Sequence, residues 1–180
     1  MKAWEKVEGS GPVVACAGAA TVPGSAGLAK GAVVAQLTIG SIHHLRLSVN
    51  DVERSKAFYT ELLGFEVAMD TLPPRDDPNY ELLSDALQGG IVLANAGLLM
   101  GLRPTDAERR EGKDSFDPFR VGLDHLSFSV GSKAELEAAQ ARLDEWGVPN
   151  GGISDLAPFG IALLPFKDPD GIQLELTAPL

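Results

Sequence analysis

Apolar and polar residues alternate through IHHLRLSV, residues 42–49. Leu45, Leu47 and Val49 fall on one side, and His44, Arg46 and Ser48 on the other. A period of two marks a strand with one buried face. NDVERSKAFYTELLGF follows, with Asn50 or Asp51 as helix cap, an apolar stripe of Val52, Phe58, Tyr59, Leu62 and Leu63, and Gly64 as the stop. FEVAMD predicts a second strand, TLPPRDDPN a loop, and GGIVLANAGLLMGLRP two strands turning near Asn95 to Gly97.

The order then repeats. LDHLSFSV alternates Leu126, Phe128 and Val130 with His125, Ser127 and Ser129. SKAELEAAQARLDEWG predicts a helix capped by Ser132 and Glu135, striped by Leu136, Ala139, Leu143 and Trp146, and stopped by Gly147. GGISDL, GIALLPF and GIQLELTA predict three strands, the last two joined through the turn KDPDG. His125 lies 81 positions (125 minus 44) after His44, so the pattern is an internal repeat. It predicts an α+β fold of two tandem βαβββ modules over residues 41–178: module one 41–104, linker 105–120 and module two 121–178. Neither one-sided sheet buries much alone, so the two are expected to join into one curved mixed sheet.

Residues 1–40 hold neither period for long and are rich in Ala, Gly and Val. They are expected to be a disordered leader or translation from an upstream start. Val13 to Cys16 loosely matches a lipoprotein cleavage box, but Glu5 and Glu8 stand where a signal is basic. No apolar run reaches the roughly 18 residues of a membrane span. The net charge of −10 disfavours nucleic acid, which needs a basic face. A single cysteine excludes an intrachain disulfide framework and fits the reducing cytoplasm.

Only three histidines exist, and two share one place in the repeat. In the last strand Gln173, Glu175 and Thr177 alternate with Ile172, Leu174 and Leu176. His44, His125 and Glu175 therefore lie on polar faces. Two imidazoles and a carboxylate form a ligand set for a divalent metal with open positions: Fe, Mn, Zn, Ni or Co. His43, adjacent to His44 on a predicted strand, is expected to point the other way.

Together the strand-one histidine, the capped helix with FY and LLGF, and the terminal DPDGIQLEL resemble the vicinal-oxygen-chelate superfamily, the glyoxalase, bleomycin-resistance and dioxygenase fold. The resemblance spans about residues 41–178. It implies paired modules around a metal-binding cup, one metal ion per site on His44, His125 and Glu175, and a homodimer. Modules would pair within a chain or swap between chains; when swapped, His44 would complete the site of His125 and Glu175 in the other subunit.

The fourth family position falls on Gly101, which has no side chain to offer a ligand. Glyoxalase I and epimerase relatives carry Glu or Gln there. Extradiol dioxygenases need a tyrosine where Pro165 stands. Fosfomycin-resistance transferases need a basic group beyond Glu175. The resemblance thus implies a metal-dependent lyase, transferase or dioxygenase with no assignable catalytic base. Arg46, Arg103, Ser127 and Gln173 are candidate substrate contacts; for the two arginines an ion pair with a neighbouring acid is the competing expectation. Lys167 is expected to be a solvated charge. The alternative is a metal-free protein of bleomycin-resistance type that sequesters a drug against Phe116, Phe119, Phe159 and Phe166, unless these merely pin loops to the core.

Overall fold

The first strand, β1 (His44–Val49), buries Leu47 and Val49 and leaves His44, Arg46 and Ser48 exposed. The computed structural model describes residues 39–111 and 114–180, so the predicted leader lies, up to residue 38, outside the described residues. α1 (Val52–Ala57) starts at Asp51, whose Oδ1 accepts the Arg54 amide at 3.0 Å. The helix then widens into a π-helical turn over Phe58–Leu62, which seats Phe58 and Tyr59 in the core. Gly64, with φ of +71°, stops it in the left-handed conformation that a Cβ disfavours.

β2 (Glu66–Met69), β3 (Ile91–Asn95) and β4 (Leu98–Pro104) complete the first module. An unpredicted helix, α2 (Tyr80–Leu87), lies between β2 and β3. A short α3 (Ala107–Glu111) interrupts the predicted linker. The second module holds β5 (Leu126–Ser129), α4 (Lys133–Glu145), β6 (Ser154–Leu156), β7 (Ile161–Lys167) and β8 (Gln173–Pro179). Ser132 caps α4 through the Glu135 amide at 3.3 Å, and the Glu135 carboxylate accepts from the Gly131 amide at 2.8 Å.

The strands form two four-stranded mixed sheets, ordered β1-β4-β3-β2 and β5-β8-β7-β6. In each, the first strand runs parallel to the last. The expected joining into one hydrogen-bonded sheet does not occur among the described residues. The reason is that the modules meet through their apolar sides instead. Leu47, Val49, Leu93 and Met100 of one sheet share a single core with Leu164, Leu174 and Leu176 of the other, and with Leu136 and Leu143 of α4. Phe65 meets Phe128 edge to face, centroids 5.9 Å apart, a geometry that adds about 0.5–1.5 kcal/mol beyond area burial. The polar faces of both sheets are left outside this core.

A polar clasp ties α1 to the turn between β7 and β8. Tyr59 donates its hydroxyl to Asp168 Oδ2 at 3.1 Å, and both residues are buried. Asp168 Oδ1 also accepts the amides of Asp170 and Ile172. Burial is the main cause that pushes the Asp168 carboxyl up to about 6, against the lowering effect of these hydrogen bonds. Asp170 in turn accepts from Asn50, Arg54 and Ser55.

Candidate metal and anion site

The polar face of the second sheet carries Glu175, and an exposed His125 leads into its strand β5. Ser127 pairs with Glu175 across the parallel β5–β8 ladder. Ser127 Oγ donates to Glu175 Oε1 at 3.1 Å, and Thr177 Oγ1 donates to the same oxygen at 3.0 Å. One carboxylate oxygen is thereby oriented, and Oε2 is left for another partner. Ser127, expected at the substrate, thus contacts Glu175. Gln173 lies half-buried two residues before Glu175 on the same face.

His125 stands one residue before β5, and its Nδ1 is hydrogen-bonded to Oδ1 of Asp124. That contact leaves Nε2 as the nitrogen free to ligate, the usual way a carboxylate fixes a metal-binding imidazole. His44 shows the same arrangement in the first module. The Nδ1 atoms of His43 and His44 are 3.0 Å apart, with the rings edge to face. This corrects the expected orientation of His43. β1 begins at His44, so strand alternation does not govern the residue before it.

The ladders also define the fourth position. Arg46 pairs with Gly101 in β1–β4 as Ser127 pairs with Glu175 in β5–β8. The stem of Arg46 lies over the glycine: a Cβ at residue 101 would sit 3.2 Å from Arg46 Nε and 3.3 Å from its Cγ. A cation therefore covers the place where the other repeat holds its carboxylate.

Among the described residues, no three His, Cys, Asp or Glu side chains of one chain come together closely enough to hold a metal ion. His44 belongs to the first module, and His125 and Glu175 belong to the second. The donor types fit a divalent ion, and among the described residues one chain does not bring three of them together.

An open cavity of about 800 Å³ lies beside the polar face of β1 and β4. Arg46, Ser48, Gln88 and Arg103 line it together with Asp106, Arg109, Asp114 and Asp170. Of the four candidate aromatic residues, Phe166 is buried and Phe116 packs against the core and also lines the cavity, whereas Phe119 and Phe159 are 96% and 77% exposed. Lys167 is exposed. No helix among the described residues is long and apolar enough to cross a membrane.

A family model described as Glyoxalase/Bleomycin resistance protein/Dioxygenase superfamily matches residues 41–176. The chain is 34% identical over 140 residues to the protein YwkD of Bacillus subtilis (strain 168), covering 78% of this chain and 98% of that one. It is 31% identical over 143 residues to YaeR of Escherichia coli (strain K12), covering 78% and 97%. The crystal structure of a glyoxylase/bleomycin resistance protein/dioxygenase domain from Frankia sp. EAN1pec superposes with a TM-score of 0.61 at 31% identity, covering 79% of this chain and all of that one.

Proposed function

The chain belongs to the glyoxalase/bleomycin resistance protein/dioxygenase superfamily, and on that premise we propose that it is a divalent-metal-dependent enzyme acting on a small molecule through vicinal or anionic oxygens. The observation that carries this reading is the matched pair of imidazoles. His44 and His125 occupy one repeat position, and each is held at Nδ1 by the residue before it. Two imidazoles so held, with Glu175 as third donor, suit iron, manganese, zinc, nickel or cobalt. Such an ion would act as a Lewis acid on a substrate oxygen.

The rest of the chemistry falls to the chain's own groups. Ser127 and Thr177 orient Glu175. Gly101 offers no side chain for proton transfer, so a base at that position is absent, and a glyoxalase I or epimerase reaction relying on one is disfavoured.

On this reading the site is completed by two copies of the chain. The first module of one subunit would meet the second module of its partner, so that His44 of one completes the site of His125 and Glu175 in the other. Two features support a swapped homodimer: the polar faces point away from the shared core, and Phe119 at the end of the linker and Val121 at the start of module two are fully exposed.

A second reading rests on the exposed Phe119 and Phe159, which suit a metal-free protein that sequesters an aromatic drug between subunits.

The deciding experiment is elemental analysis of untagged full-length protein beside the variants His125→Ala and Glu175→Ala. The metal reading expects near one ion per subunit, lost in both variants. No metal as purified, and none after incubation with each of the five ions, would overturn it and favour the drug-binding reading.

A further inference from the structure

We infer that Arg46 and Arg103 form a receptor for an anionic group, a carboxylate or a phosphoryl or phosphonyl group, on the polar face of β1 and β4. The inference rests on the reading that this face meets the substrate, but it stands on its own geometry.

Arg46 reaches its place because residue 101 is glycine. With no side chain there, the guanidinium stem crosses the neighbouring strand and reaches the last turn of α2, where Nη2 donates to the Ala86 carbonyl. Arg103 pairs with Ser48 in the ladder, on the same face and one diagonal step from Arg46. Its Nη1 donates to Gln88 Oε1 at 3.0 Å and its Nη2 to Ser48 Oγ at 3.2 Å. The end of α2 thus holds both guanidinium groups, a placement the negative end of a helix favours.

All three acceptors are uncharged, so neither arginine is neutralised by them. Other charges of the cavity are matched. Arg109 pairs with Asp106 and Asp114 at 3.1 Å each, and Asp170 with Arg54 at 2.9 Å. Among the described residues, Arg46 and Arg103 have no carboxylate within ion-pair distance, in a chain of net charge −10. Each retains N–H donors beyond those already used, and a guanidinium fork matches two oxygens of a carboxylate or phosphoryl group.

Position adds the substrate geometry. Arg46 is two residues from His44 on one strand face, about 7 Å along the strand. An anion held there would sit a few bonds from oxygens presented at His44. Gly101 and Glu175 thereby divide the labour of the repeat: one half keeps a carboxylate for a metal, and the other clears a carboxylate position for a cation.

The test is titration calorimetry of chelator-stripped full-length protein with inorganic phosphate and, separately, malonate. Native protein should bind at least one of them. Arg46→Gln and Arg103→Gln should each weaken that binding about tenfold or more, the loss expected for a charge-assisted hydrogen bond. Arg46→Lys and Arg103→Lys should restore part of it, and thermal unfolding of each variant verifies its fold. Preference between the two probes identifies the anion class. Binding that is equal in native and folded Gln variants would overturn the receptor, as would no binding of either probe by native protein. Metal content in the same Gln variants separates the two proposals. Retained metal with lost anion binding supports the receptor, and anion binding through both arginines in a protein that takes no metal would leave the receptor standing alone.

Discussion

His43 and Asp124 hold the same position in the two repeats, and each contacts Nδ1 of the histidine that follows it. One is an imidazole and the other a carboxylate, yet both leave Nε2 of the next residue for a ligand. Partners of this kind set ring orientation and ligand basicity. Asp124→Ala should weaken metal affinity by roughly 10- to 100-fold while leaving the fold intact. Competition with a chromogenic chelator measures the affinity, and circular dichroism verifies the fold. Unchanged affinity would remove Asp124 from the site.

The swapped arrangement has a genetic signature. His44→Ala and Glu175→Ala subunits should each bind no metal alone. Refolded together, a mixed dimer gathers both lesions in one site and leaves the other site intact. Elemental analysis should then recover about half an ion per subunit in the isolated mixed dimer, by the stoichiometry of closed twofold pairing. Pairing within each chain would recover none.

Asp168 makes stability depend on pH. Its carboxyl titrates near 6 in the fold, above the ordinary value of 3.8. The folded chain therefore holds this proton more tightly than the unfolded chain. Its contribution is full below about pH 4 and is lost as pH rises through about 6, a change of up to about 3 kcal/mol. Asp168→Asn should flatten the stability profile between pH 4 and 6.5, read by urea denaturation across that window. Equal slopes in native and variant would refute the assignment.

Two glycines should respond differently to alanine. A Cβ at Gly90 would lie 2.1 Å from the Leu102 carbonyl oxygen and 3.0 Å from the Arg103 Cα, both backbone. Gly90→Ala should cost more than about 2 kcal/mol, because the strand itself must move. Gly101→Ala meets only the flexible Arg46 side chain and should cost about 1 kcal/mol or less. Thermal or urea unfolding compares them, and a larger loss at Gly101 would contradict the geometry.

Much of this was legible in the chain because period-two alternation survives in both repeats. It placed His44 and Arg46 on one face and Glu175 and Gln173 on another. The Ser132 cap was equally plain, since its partner lies three residues away. α2 was missed although Leu83 and Leu87 are spaced four apart and Gly89 follows; the proline-rich stretch before it masked the start. The orientation of His43 depended on where β1 begins, a boundary of one residue that no periodicity fixes. The back-to-back contact of the sheets was not readable either. Phe65 and Phe128 carry no mark of each other, and the same apolar faces would serve a joined sheet.

The clasp between α1 and the β7–β8 turn bears on the order of folding. Tyr59 and Asp168 are 109 positions apart, and Asn50 and Asp170 are 120 apart. By contrast, β3 and β4 meet across a turn of two residues. Local pairing forms early, and loop closure over a hundred residues comes late. The first module can complete its own ladder during synthesis while Tyr59 waits for its acceptor. Until module two emerges, the apolar back of module one stays open to water, so the nascent chain passes through a half-built stage that is exposed to aggregation.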